Sequence, residues 1–216
     1  MKTIKSFGIF AATLVATASL TNAAAFVNGD FELPNLGTNG FTPAGNNDST
    51  TITGWTAFTS GAGANAVYLA SVPAPFIPTP TTGAQIVVFN TDDLGGTCSL
   101  VQTFDTIAGQ SYTVGFDLGR EIDINDPSST GQAITVAVTG TAPTLVAAPD
   151  IMTAFTYSFV ATGTSSTLTF SRVAGIGEDG NRSPALDSVT VTAVPEPTAA
   201  LLGSFGALAL LRRRRS

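Results

Sequence analysis

Apolar and polar residues alternate with period two through most of this chain. Tyr112, Val114, Phe116 and Leu118 alternate with Ser111, Thr113, Gly115 and Asp117. Ile134, Val136 and Val138 repeat the pattern, as do Phe155, Tyr157 and Phe159, then Leu168 and Phe170, then Val189 and Val191. β-Branched and aromatic residues at that spacing predict half-buried strands. Further strands are predicted over Phe26–Leu33, Ile52–Thr59, Ala66–Ala70, Gln85–Asn90 and Cys98–Phe104. Gly, Pro, Asn and Asp separate these runs, and no helical period of useful length precedes residue 198. About ten short strands with turn-rich joints predict an all-β fold, an antiparallel two-sheet sandwich.

The two ends break the alternation. Lys2 and Lys5, the apolar stretch Phe7–Leu20 and the small residues Ala23, Ala24 and Ala25 read as a secretory signal peptide over 1–25, outside the fold. At the far end stand Pro195, Glu196 and Pro197, an uncharged run Thr198–Leu211, then Arg212, Arg213, Arg214, Arg215 and Ser216. A basic cluster after an apolar segment stays on the cytoplasmic side, so 198–211 is predicted as a short transmembrane helix. A span usually takes roughly 20 apolar residues; snorkelling arginine stems and a locally thinned bilayer compensate for a shorter one. The alternative is a C-terminal helix packed on a soluble core. Between the ends, 26–193 reads as one domain, with no repeat and no linker before Val194.

Charge sharpens the picture of that domain. Of 15 acidic residues only Glu196 lies outside it, and of nine basic ones only Arg120, Arg172 and Arg182 lie inside it. The body thus carries 14 carboxylates against three guanidiniums, a net charge of about −11. Such a surface repels nucleic acid and anionic lipid and favours cations, calcium above all outside the cell. The chain has no histidine, which removes Ser-His-Asp and Cys-His catalysis and the usual zinc sites. Cys98 is the single cysteine, so no internal disulfide forms; it reads as a small buried hydrophobe.

Candidate chemistry lies in a few positions. Asp187 shares parity with Val189 and Val191, which places it on the core-facing side of its strand. A buried carboxylate needs a partner or a metal; the body has no lysine, and calcium takes oxygen ligands. The alternative is an Asp187 at the strand's mouth, hydrogen-bonded to backbone amides. Glu121, Asp123 and Asn125, and separately Glu178, Asp179 and Asn181, read as a cation site, a sugar-binding rim or solvated acidic loops. Trp55, the single tryptophan, is a sugar-stacking candidate or, inside a period-two strand, a core residue. Phe76 in the proline-rich loop Ser71–Thr82 is the best candidate for an exposed aromatic.

Two resemblances add to this. Pro195-Glu196-Pro197, a short apolar helix and the arginine cluster resemble the PEP-CTERM sorting signal of Gram-negative bacteria. That family implies an exosortase partner that cleaves near the Pro-Glu-Pro, a transient membrane anchor, delivery to the cell surface or extracellular matrix, and company with exopolysaccharide production. In the body, Val27-Asn28-Gly29-Asp30-Phe31-Glu32-Leu33-Pro34, Gly54-Trp55-Thr56, Phe116-Asp117-Leu118-Gly119 and Pro184-Ala185-Leu186-Asp187-Ser188-Val189 resemble, in order, galactose-binding-like jelly-roll modules related to carbohydrate-binding modules. This resemblance implies a jelly-roll sandwich whose first and last strands are tied by a structural calcium on Glu32, or its neighbour Asp30, and Asp187. Together these readings predict an exported, non-catalytic β-sandwich that associates with extracellular polysaccharide or matrix. The alternatives are a purely structural or protein-binding surface component, and a polysaccharide-acting enzyme using two carboxylates, for which no spacing motif selects a pair.

Overall fold

The computed structural model describes residues 25–60, 66–73, 77–90, 96–121, 132–173 and 183–195. The predicted signal peptide, membrane segment and arginine cluster lie outside them, as do Phe76 and the acidic stretches 122–131 and 174–182. Among the described residues no helix is long and apolar enough to cross a membrane.

Among the described residues eleven strands form in chain order: β1 (Phe41–Ala44), β2 (Thr56–Ser60), β3 (Ala66–Ser71), β4 (Gln85–Asn90), β5 (Thr97–Asp105), β6 (Ser111–Arg120), β7 (Ala133–Val138), β8 (Thr144–Ala147), β9 (Thr153–Val160), β10 (Ser165–Arg172) and β11 (Pro184–Ala193). They make two antiparallel sheets, ordered β1-β3-β4-β11-β6-β9 and β2-β5-β10-β7-β8. The antiparallel two-sheet sandwich expected from the alternation, and the jelly roll that the resemblance implied, are the architecture observed. Its core is filled by the inward residues of both sheets, among them Val67, Leu69, Val87, Phe89, Leu100, Val114, Leu118, Ile134, Val136, Leu168, Phe170 and Leu186. Among the described residues the buried apolar ones fall between Phe31 and Val189.

Three expectations about elements need correcting. Phe26–Leu33 is not a strand. Asn28 and Phe31 take left-handed φ of 50° and 55°, which breaks an extended run. The segment is held instead by side chains. Gln102 Nε2 donates to the Val27 carbonyl at 3.0 Å and Gln102 Oε1 accepts from its amide at 2.8 Å, while Asn28 Nδ2 donates to Leu33 O and Thr53 O. Second, β2 begins only at Thr56, because Ile52–Trp55 closes a turn through Trp55 N and Ile52 O with Gly54 at φ 83°. Third, β1 and β8 form where no strand was expected. They are four residues each, lie at sheet edges, and β1 carries a proline.

Asp187 also sits on the other face from the one its spacing suggested. Asp187 pairs with Asp117 but Thr190 pairs with Gly115, so β11 carries one extra residue in between. That bulge, with Ser188 at φ 54°, reverses the parity of the strand. Leu186 and Val189 both enter the core, three positions apart. Asp187 therefore shares the outer face of the sheet with Ala185, yet is wholly buried, because the loop before β4 folds over it.

Candidate functional site

The outer face of the six-stranded sheet carries its own small apolar cluster: Tyr68, Ala70, Ile86, Val88 and Ala185, with Ile77 and Met152 packed against it. Around this floor lie the residues singled out from the sequence. Asp187 Oδ2 accepts from the amides of Thr81 and Thr82 at 2.8 and 3.0 Å, and Oδ1 from its own neighbour, Ser188 N, at 2.6 Å. Glu32 Oε1 accepts from Ala84 N and Gln85 N at 2.8 and 2.7 Å. Gln85 then donates to Phe31 O and Pro34 O. The two carboxylates thus grip one short segment, 81–85, from opposite ends of the chain. Burial raises the Asp187 carboxyl above its usual range; the three amides oppose this, and the Asp117 carboxylate across the strand pair adds to it.

These contacts bear directly on the calcium reading. A cation needs carboxylate lone pairs facing it, and here five backbone N–H groups occupy Asp187 and Glu32. Asp30 is exposed and stands outside the arrangement. Among the described residues no three His, Cys, Asp or Glu side chains gather as a metal group would require. The donors that meet Asp187 and Glu32 are backbone amides, an arrangement of amide capture. The tie between the first and last segments is nonetheless real. Val189 N donates to Gly29 O at 2.7 Å. A Cβ on Gly29 would fall 1.9 Å from the Val189 carbonyl oxygen, so only glycine lets the two backbones approach.

Trp55 is corrected as a ligand-binding candidate. It is 1% exposed, its indole N–H donates to Asn28 O at 2.9 Å, and Phe26, Phe31 and Phe170 surround its ring. Its faces are spent inside the core. Phe76, like Glu196 and Arg212–Arg215 of the predicted sorting signal, lies outside the described residues.

An aromatic that the strand pattern passed over takes the place expected of Phe76. Phe41, on the edge strand β1, lies 4.2 Å from Tyr68 at an interplanar angle of 23°. Tyr68 is 9% exposed and Phe41 is 54% exposed. One face of Phe41 is seated on a buried ring and the other meets solvent. Pro43 stands opposite Tyr68 in the register and Phe41 opposite Ala70, so the platform continues the apolar floor to the sheet edge. The signal was available: Phe41 lies between Gly40 and Thr42-Pro43 with no alternating apolar partner, the same argument that singled out Phe76.

No exposed cation accompanies this platform among the described residues. Arg120 and Arg172 are each 7% exposed, and Arg120 is joined to Asp150.

Comparison with known proteins places this arrangement. Residues 24–192 match the model of a family described as "Protein of unknown function (DUF642)". No curated protein matches the chain. Similar solved structures include the enzymatically active domain of tailspike protein 4 from bacteriophage CBA120. It is 12% identical at a TM-score of 0.50, over 79% of this chain but only 21% of that one. Others are TmCBM61 in complex with beta-1,4-galactotriose, at 18% identity and a TM-score of 0.45 over 66% of this chain and 90% of that one, and the N-terminal cellulose-binding domain of Cellulomonas fimi beta-1,4-glucanase C, at 18% identity and 0.43 over the same shares. At such identities the tailspike likeness speaks for the fold alone.

Proposed function

We propose, from the premise that this chain belongs to the DUF642 family, that its sandwich is a non-catalytic module which holds a glycan against Phe41. The seating of Phe41 on Tyr68 carries the reading. An aromatic face offered to solvent from a rigid sheet costs little conformational entropy on binding, and the apolar C–H face of a pyranose ring fits against it. The 14 carboxylates of the body, and the burial of both described guanidiniums, favour a neutral glycan over a uronate or sulfated one. The Pro195-Glu196-Pro197 and Arg212–Arg215 pattern supports export and sorting to the surface of a Gram-negative cell, with an exosortase-type enzyme as processing partner.

The test is retention of the Ala25–Pro195 body on immobilised neutral, amino and uronate polysaccharides, in chelator to remove bridging ions. The expected result is retention on a neutral glycan that falls at least tenfold in Phe41→Ala while the unfolding midpoint holds. Equal retention by Phe41→Ala overturns the Phe41 platform, and retention on no glycan returns the protein to the purely structural reading. Release of reducing ends from a bound glycan would show an enzyme instead.

A further inference from the structure

The four sheet edges of this sandwich are not treated alike. β1 is four residues long and holds Pro43; β8 is also four residues long. β2 is shielded by Asp48, whose amide and carbonyl both bond Ala57. Short length, proline and a covering segment are the usual protections against edge-to-edge pairing. Among the described residues β9 has none of them. It runs eight residues, TAFTYSFV, without proline, glycine or charge, and pairs with β6 over its whole length and with no bulge.

Its free side can be assigned. Ala161 N donates to Gln110 O at 3.0 Å and Ala161 O accepts from Gly109 N at 2.7 Å, so residue 161 faces the β6 side. Backbone groups alternate along a strand. Residues 159, 157, 155 and 153 therefore face β6, and Ala154, Thr156, Ser158 and Val160 turn their N–H and C=O outward. The side chains of those four are all exposed.

Two independent features mark the same edge. Of the large exposed apolar residues, Ile151 (72%) lies just before β9 and Val160 (54%) at its end. β9 itself carries no charge; the carboxylates nearest to it are Asp150, which pairs with Arg120, and Asp117, one strand in and opposite Ala154. In a body of about −11 this is the zone where two copies approach without setting like charges face to face.

We propose that β9 is a self-association edge, pairing antiparallel with β9 of a second copy of this chain about a two-fold axis and joining two six-stranded sheets into one. A two-fold contact is self-complementary, so one neutral apolar edge supplies both halves. This surface is separate from the Phe41 platform, which lies on β1 at the opposite edge of the same sheet.

The experiment combines light scattering and amide exchange on the Ala25–Pro195 body from micromolar to submillimolar concentration. The expected result is a mass that doubles with concentration while the amides of Ala154, Thr156, Ser158 and Val160 slow in step. The double substitution Thr156→Lys, Ser158→Lys puts charge on the free edge only. It is expected to keep the near-ultraviolet spectrum and unfolding midpoint and to remain monomeric. A body that stays monomeric with those four amides exchanging freely overturns the proposal. So does a dimer that survives the lysines, or a monomer whose β9 amides are protected only by an extended segment of another protein.

Discussion

Asp187 gives up all contact with water and receives three amide donors in return. A carboxylate that accepts several backbone N–H groups takes the place of a strand partner for a loop that has none. Asp187→Asn keeps the size but presents an NH2 group to donors. The expected cost is about 2 kcal/mol, the penalty for leaving buried polar groups unmatched. Urea unfolding of the body checks it, and an unchanged midpoint refutes the role. Because amides occupy the carboxylate, the same measurement in chelator is expected to give the same difference between wild type and variant. Here the residue's identity was readable from the sequence and its surroundings were not. The spacing to Val189 pointed inward, and the bulge that reverses it leaves no mark in an alternating string of residues.

At the scale of elements, the N-terminal segment behaves as a strap and not as a strand. It crosses from Gln102 on β5 to the β11 bulge, tied by Gln102 to Val27 and by Val189 to Gly29. Phe26 and Phe31 anchor it through edge and tilted contacts with Trp55 at 5.6 and 5.5 Å. Gly29→Ala forces the backbones apart and is expected to destabilise the body by about 2–3 kcal/mol, in the range of overpacked sites. Hydrogen exchange should show the loss first at the Val189 amide; protection there equal to wild type would contradict the strap. The strands β5, β6, β7, β9 and β10 were legible because each shows several alternating apolar residues, and β4 because it is a continuous apolar run between polar ends. β1 and β8 were not, since four residues at an edge bury little and leave no period to read. The Phe41 platform followed the same rule, its meaning set by a partner 27 positions away in sequence.

The whole molecule carries an uneven charge, and its stability should follow pH accordingly. Glu121 sits at the end of β6. Burial pushes its carboxyl up to about 7, against the pull of the Ser183 hydroxyl and amide and of the Arg172 guanidinium. The folded state thus holds a proton that the unfolded chain, with a carboxyl near 4.5, has already released. Its contribution is complete below pH ~4.5 and is lost as pH rises through ~7, by up to about 3 kcal/mol. Asp187, also raised, acts in the same direction. Asp48, held well below the usual carboxylate range, above all by the Thr51 hydroxyl and with help from Thr50, acts oppositely, and its contribution disappears as the medium becomes strongly acidic. Stability is expected to peak in mildly acidic solution and fall toward pH 8, and Glu121→Gln should flatten the upper limb. A wild-type profile flat from pH 5 to 8 would refute this.

By itself the order of residues determined the architecture, since period-two burial is a local property that each strand carries in its own side chains. It determined the charge and the absence of histidine chemistry, and it carries the two terminal patterns from which export is proposed. Only the tertiary structure decided which side Asp187 faces, what its oxygens bind, that Trp55 is enclosed while Phe41 is open, and that β9 has no strand on its outer side among the described residues. Each of these depends on segments far apart in the chain meeting in space, and on a single extra residue in β11 that shifts every face after it.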